Sequence, residues 1–308
     1  VSGDVGNHRG NRHGAVRPMR VNTVIRRVGR FAAGWVRRLG FGGMFGLGGL
    51  VLLSAASAVG RFLLDPPRTD VEAILHAPSF DHPLGTDFSG RDNLQLLVRG
   101  GWDMLELAVV AGFLMSAIAV GVGLLGAFSG GLVDRIVVRL TDVWLTVPRF
   151  VLLLVIASLY PVSSTVALAA LIAIFGWPYL ARQIRAQALS LRSREYVEAA
   201  RLLQLRTSHI LLRYLVPAIA PFVVISTIQA MTQAIYQQVG LAFFGLVPLQ
   251  DNWGVLFSAA FRQNALYLPS AAWSLLAPVA AICFLQFCLV LTSRSLEELF
   301  DPRLRSGK

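Results

Sequence analysis

A single lysine, Lys308, stands against 27 arginines, two cysteines occur in 308 residues, and charged residues of both signs make up only 15% of the chain. The lysine scarcity reads as codon bias rather than chemistry. Cys283 and Cys288 fall together in the last apolar run, where neither a disulfide scaffold nor a metal site is expected, so they read as small apolar residues of a membrane helix. No phosphate-binding glycine loop with its lysine is present, and any nucleotide energy must therefore come from another chain. No Asp, Glu, His or Lys sits in the middle of an apolar run: Glu106 is near a boundary, and His8, His13, His76, His82 and His209 all lie outside. A secondary transporter needs coupling-ion ligands or a titratable relay within the membrane, and an enzyme of the bilayer needs convergent catalytic groups there. Neither set is visible, and the chain is read as carrying no covalent chemistry and no metal or cofactor of its own.

What is abundant is apolar surface. Hydrophobic residues make up 55% of the chain and its mean hydropathy is +0.61, more than a soluble core of this size can bury. A crossing of the roughly 30 Å hydrocarbon layer needs about 20 apolar residues. Such runs extend over Phe41–Gly60, Leu107–Phe128, Thr165–Ala181, Leu215–Gly240 and Pro269–Thr292. A shorter run, Phe150–Tyr160, reaches spanning length only with Val143–Pro148. The reading is an all-α integral membrane protein with about six transmembrane helices.

The net charge of +11 suggests nucleic acid until its distribution is considered. With residue 1 in the cytoplasm, six crossings place residues 1–40, 129–149, 182–213 and 294–308 inside, and these hold 23 of the 28 Arg and Lys. The opposite loops, 65–103 and 241–268, hold four, and the first carries seven carboxylates. This is the positive-inside pattern, with both termini cytoplasmic.

Residues 1–22 lack apolar periodicity and are expected to be disordered; Val1, as a GTG codon, and Met19 are both candidate starts. From Val24 onward, Val24, Val28, Phe31, Trp35 and Leu39 share a helical face opposite Arg26, Arg30 and Arg37, the layout of an interfacial helix or of a topogenic charge cluster. Residues 1–40 thus form a basic tail ahead of a transmembrane domain, 41–308, whose first apolar run is expected to stay as a membrane anchor rather than a cleaved signal. The segment 65–102 is dense in turn formers and reads as an external loop. Leu132–Thr146 reads as a short amphipathic helix feeding the third crossing through Pro148, with Trp144 and Trp177 as interfacial anchors.

Two polar features carry candidate functions. Gln229, Gln233 and Gln237 recur at i, i+4, i+8 with Thr232 beside them, forming either the wall of a path for polar solutes or a set of amides bonding neighbouring helices. The internal segment 182–213 holds Arg194 to Gln204, in which Tyr196, Ala200 and Leu203 make an apolar face, Arg194 and Glu198 form an i, i+4 pair, and Thr207 or Ser208 can cap a second short helix. The product is a helical hairpin, either inserted into a partner's groove or simply solvated.

Glu198-Ala199-Ala200 ahead of Pro217 resembles the EAA loop of bacterial ATP-binding-cassette importer permeases. His82-Pro83-Leu84-Gly85-Thr86-Asp87 with Gly90-Arg91-Asp92 resembles the external signature of the C-type dipeptide, oligopeptide and nickel permeases. Gly176-Trp177-Pro178, Phe243-Phe244-Gly245-Leu246 with Trp253-Gly254, and Asp301-Pro302-Arg303-Leu304-Arg305 are similar to that family's blocks in the same order, so the resemblance runs from about Val24 to Arg305. Gln204 is a departure, standing where the family usually has the glycine of the coupling turn; a glycine enters the left-handed region without steric cost and glutamine does not, so a differently built turn is expected.

The resemblance implies a type I importer permease fold in the bacterial inner membrane, with Arg194, Tyr196, Glu198, Ala199, Ala200, Leu203 and Gln204 coupling to the ATPase. The implied partners are a B-type permease subunit, two ATP-binding subunits or domains that hold ATP and Mg, an external substrate-binding protein and membrane lipid, with no nucleic acid. Asp87, Arg91 and Asp92 either contact the binding protein at the entrance or hold a set of turns together. The implied cargo is dipeptides or oligopeptides, with nickel, haem or another small solute as the alternative.

Overall fold

The computed structural model describes residues 40–160, 162, 164–247 and 251–300, apart from the side chains of Arg201, Thr207 and Ser208. The expected interfacial helix after Val24 and the Asp301–Arg305 block lie outside the described residues. Every regular element described is helical, and one isolated bridge joins Thr86 to Asp92. The long helices are α1 (Gly40–Phe62), α2 (Asn93–Ser129), α5 (Thr165–Arg192), α8 (Val216–Phe243) and α10 (Ala272–Phe300). Shorter ones are α3 (Gly131–Thr146), α4 (Arg149–Leu159), α6 (Glu195–Leu202), α7 (Thr207–Ile210) and α9 (Trp253–Arg262).

Among the described residues five segments are long and apolar enough to cross a membrane, and each contains one of the five long runs of the sequence. Their outward faces carry large apolar side chains such as Val51, Leu52, Phe113 and Phe287, which only lipid or a partner chain can cover. The segment expected to make the sixth crossing is a bent pair of helices. α3 and α4 meet at 76° because Pro148, extended at φ −61° and ψ 104°, interrupts the helix. α4 alone, at 11 residues, rises only about 16 Å.

Two helices run past the expected crossings. α2 begins at Asn93, inside the segment read as an external loop, and its 37 residues rise about 55 Å. Its polar first turns stay helical because the bundle pairs them: Arg99 donates to the Gly60 and Leu64 carbonyls at 3.2 and 2.6 Å, and the Leu97 carbonyl accepts the buried Trp253 indole at 2.6 Å. α5 likewise continues to Arg192, so the first third of the 182–213 segment is helix rather than loop. Arg185 forks onto Asp134 of α3 at 2.6 and 2.7 Å, which ties that extension down.

The core is built from small residues that let helix backbones approach, the usual substitute for a hydrophobic driving force within lipid. Ala111 of α2, Ala169 and Ala173 of α5 and Ala230 and Ala234 of α8 interleave with Leu107, Leu168 and Ile172. α1 packs on α10 through glycine: a Cβ at Gly46 would lie 2.8 Å from the Cys288 carbonyl oxygen. Cys288 is buried in this seam, and Cys283 is exposed.

Candidate functional site

A cavity of about 480 Å³ opens between α2, the α3–α4 bend, α5 and α8. One wall is aromatic. Trp144 stacks on Phe175 at 5.6 Å and lies 6.2 Å from the buried Trp177 ring, while Tyr179 lines the rim. The two tryptophans are therefore packed on one another and on α5, and Trp177 is buried rather than turned outward as an interfacial anchor would be. Burial of Trp177 follows from its place beside Leu180 and Ala181 on the face of α5 that meets α2 and α8.

The opposite wall is polar and comes from α8, where helical spacing puts Gln229 and Gln233 in the cavity lining. Arg149, at the first turn of α4, donates from Nη2 to Gln233 Oε1 at 3.2 Å. Gln237, turned so that its amide oxygen faces the guanidinium, accepts from Nη2 at 2.9 Å and from Nε at 3.2 Å. Both readings of the glutamine stripe thus meet in one place: two of its amides hold a neighbouring element, and two face open space. Thr232 contributes its backbone instead, its carbonyl accepting from Gln286 of α10 at 3.3 Å.

Arg149 was missed as a site residue, because it counted only as one of the basic residues of the 129–149 segment. The available signal was its position, directly after Pro148 and at the head of an apolar run too short to span alone. Its partners lie 84 and 88 residues away on α8, a pairing that local periodicity does not reveal.

The hairpin is present, with a different inner face. α6 buries Val197 and Ala200 against Ala127, Ala188, Ile210 and Leu215, while Tyr196, Leu202 and Leu203 are exposed at 43%, 85% and 74%. Glu198 and Ala199 are exposed as well. The Tyr196–Ala200–Leu203 face read from the sequence is therefore divided: Ala200 turns inward and the two larger residues turn outward. Among the described residues no ion pair joins Arg194 to Glu198; the Arg194 carbonyl instead accepts the Val197 and Glu198 amides at 2.9 and 3.1 Å and opens the helix.

The turn keeps the geometry of a glycine cap despite the substitution. Gln204 takes φ +55°, and the Leu205 amide reaches back to the Ala200 carbonyl at 3.3 Å, the six-to-one bond of a Schellman closure. The expectation of a differently built turn is corrected: packing of Leu205 and Ala200 in one cluster holds glutamine in the left-handed region. α7 opens at Thr207, and the capping assigned to Thr207 or Ser208 lies outside the described side chains. From Leu211 to Leu215 the chain widens to a π-helical turn, where Val216 donates to the Leu211 carbonyl. Pro217 cannot donate to the Arg213 carbonyl, which favours the wider turn before α8 continues.

The 82–92 block is a knot of internal bonds. Asp87 Oδ1 accepts the Ser89 and Arg91 amides at 2.8 Å each, and Oδ2 accepts Arg91 Nε at 2.9 Å. Asp92 caps α2 through Gln95 at 2.9 Å and holds His82 Nδ1 at 2.8 Å. Fully buried Thr86 donates to the Ala73 carbonyl and accepts the His76 amide at 2.9 Å. Gly90, at φ +71°, lies so close to the Asp70 carbonyl that a Cβ would overlap it. The Asp87 and Arg91 side chains are turned to one another and that of Asp92 to His82 and the first turn of α2, and Leu75 and Phe88 pack against α9 and the start of α10.

The chain matches the family model described as binding-protein-dependent transport system inner membrane component over residues 117–306. It is 36% identical to a protein of Brucella suis named as a peptide permease, covering 77% of this chain and 78% of that one. It is 30% identical to the oligopeptide transport system permease protein OppC of Mycobacterium tuberculosis, covering 77% and 81%. Against OppC of Bacillus subtilis the identity is also 30%, with 83% of each chain covered. Among solved structures, a chain from inward-facing conformations of the MetNI methionine ABC transporter superposes with a TM-score of 0.52 over 65% of this chain and 96% of that chain, at 19% identity. That likeness concerns the fold.

Proposed function

This chain belongs to the family of binding-protein-dependent transport system inner membrane components, the permeases of ATP-binding-cassette importers, and we propose that it is the C-type permease subunit of an importer of dipeptides and oligopeptides. In this reading a B-type permease closes the other side of the cavity. Two ATP-binding subunits or domains grip the hairpins from the cytoplasm, an external protein delivers cargo, and both termini of this chain are cytoplasmic.

One observation carries the mechanism: the hairpin and the cavity are built on the same two helices. α5 runs from Phe175, Tyr179 and Gln183 to Arg192, three residues before α6 begins. α8 follows directly from α7 through the π turn and reaches Ser226, Gln229 and Gln233. A displacement of α6 is thus delivered to both long walls of the cavity through continuous helix, over only about 14 Å from Arg192 to Gln183. Outward-turned Tyr196, Leu202, Leu203 and Glu198 supply the gripping surface, and buried Val197 and Ala200 make the hairpin move with the bundle. Alternating access follows if ATP and the loaded binding protein prefer the state opposite to the resting one, since a ligand indifferent to the two states shifts neither.

The test is Glu198→Arg in vesicles containing all subunits. Arginine forms helix as well as glutamate, so insertion and expression are expected to hold. Uptake and its coupling to ATP hydrolysis are expected to fall at least about tenfold, as loss of a charged contact at a protein interface does. Normal coupled uptake would show Glu198 to be solvated helix surface.

A further inference from the structure

Arg149 is a cation at a membrane cavity whose described partners are all neutral. Gln233 and Gln237 take up Nη2 and Nε, Nη1 has no partner among the described residues, and no carboxylate pairs with it. A half-buried guanidinium held only by amides is oriented but not neutralised, which leaves its charge available to an anion that enters the cavity. A second feature points the same way. Arg149 opens α4, whose cap residue, Pro148, has no side chain to accept the first free amides, and Val147, Pro148 and Arg149 all line the cavity. The positive end of an 11-residue helix and a guanidinium with a free edge therefore meet at one wall.

From these we infer that Arg149 and the first turn of α4 form a carboxylate subsite, which engages the C-terminal carboxylate of a peptide as it crosses. The inference rests on the peptide-import reading and deepens it. One cation suits a monoanion better than a phosphate dianion. The remaining walls suit the rest of a peptide of any sequence: Gln229 and Gln233 offer amides to the backbone, and Trp144 and Phe175 offer an apolar face indifferent to side-chain identity. A carrier of many sequences can rely only on groups that all of them share, and the terminal carboxylate is one.

The experiment measures uptake by the complete reconstituted complex, with the binding protein saturated in turn by a tripeptide and by the same tripeptide amidated at its C-terminus. The readout is the ratio of the two rates. The wild type is expected to favour the free acid, and Arg149→Gln to lower the ratio about tenfold, the loss of one charge-assisted contact. Arg149→Lys, which keeps the charge without the fork, is expected to fall between. An unchanged ratio in Arg149→Gln, including equal slowing of both peptides as loss of a lipid or structural contact would give, overturns the inference. If Arg149→Gln fails to assemble, the Arg149→Lys ratio decides alike: a lowered ratio supports the subsite and an unchanged one overturns it. Failure of the wild type to carry either peptide would sink the peptide reading and this inference with it; uptake of both with an unchanged ratio sinks the inference alone.

Discussion

Gln204 holds φ at +55°, where a side chain costs roughly 1–2 kcal/mol that glycine does not incur. Gln204→Gly is expected to stabilise the hairpin by about 0.5–1 kcal/mol, less than the full strain because glycine also loosens the unfolded chain. Slower proteolysis between α6 and α7 in the purified complex would show it; faster cleavage would contradict the strain argument. Arg91 gives a prediction of the opposite sign. Its guanidinium closes onto Asp87, and Arg91→Ala leaves that carboxylate with backbone partners only. The loss is expected to be about 1–2 kcal/mol, at the low end for a charged hydrogen bond because the pair is partly exposed. Limited proteolysis within 63–92 should accelerate and less complex should assemble. A well-assembled Arg91→Ala complex that merely fails to respond to the binding protein would return this residue to the entrance role. At this scale the sequence was only partly legible. It singled out Gln233 and Asp87 but did not show that Gln233 would meet Arg149, 84 residues away along the chain.

α1 shows what an element contributes through what it lacks. Gly46 and Gly48 lie two residues apart on one helix, yet only Gly46 faces α10, and nothing lies within 4 Å of a Cβ built at Gly48. Gly46→Leu is expected to lower the stability of the purified protein by about 1–3 kcal/mol, as overpacking of a tight seam does, and Gly48→Leu to leave it nearly unchanged. Thermal unfolding in detergent compares the two directly, and equal effects would show that α1 is not seated as described. Elements were the most legible level. Five apolar runs became five long helices, and Pro148 marked the bend between α3 and α4. The errors lay at the ends. The first turns of α2 were read as loop because they continue a polar segment dense in turn formers, although carbonyls of α1 and of the following connection accept from Arg99 Nη1. The end of α5 was likewise read as loop because Arg182 and Arg185 are charged, although Asp142 and Asp134 of α3 pair them. A charge stops a hydropathy run without stopping a helix.

For the molecule as a whole, the charge asymmetry predicts that the hairpin and the 63–92 segment face opposite sides of the membrane. Ser89 and Ser193 are both exposed, one in each segment. In a background with Cys283 and Cys288 replaced, single cysteines at these positions are expected to react with an impermeant thiol reagent from opposite sides; labelling from one side would refute the six-crossing topology. The central claim, that ATP moves the walls of a peptide path through the hairpin, is tested most directly by uptake of a labelled tripeptide into vesicles containing the complete complex. The measurement compares ATP inside, no ATP, and a proton gradient in place of ATP. The account predicts accumulation only when ATP and the binding protein are both present. Accumulation driven by the gradient without ATP would contradict it.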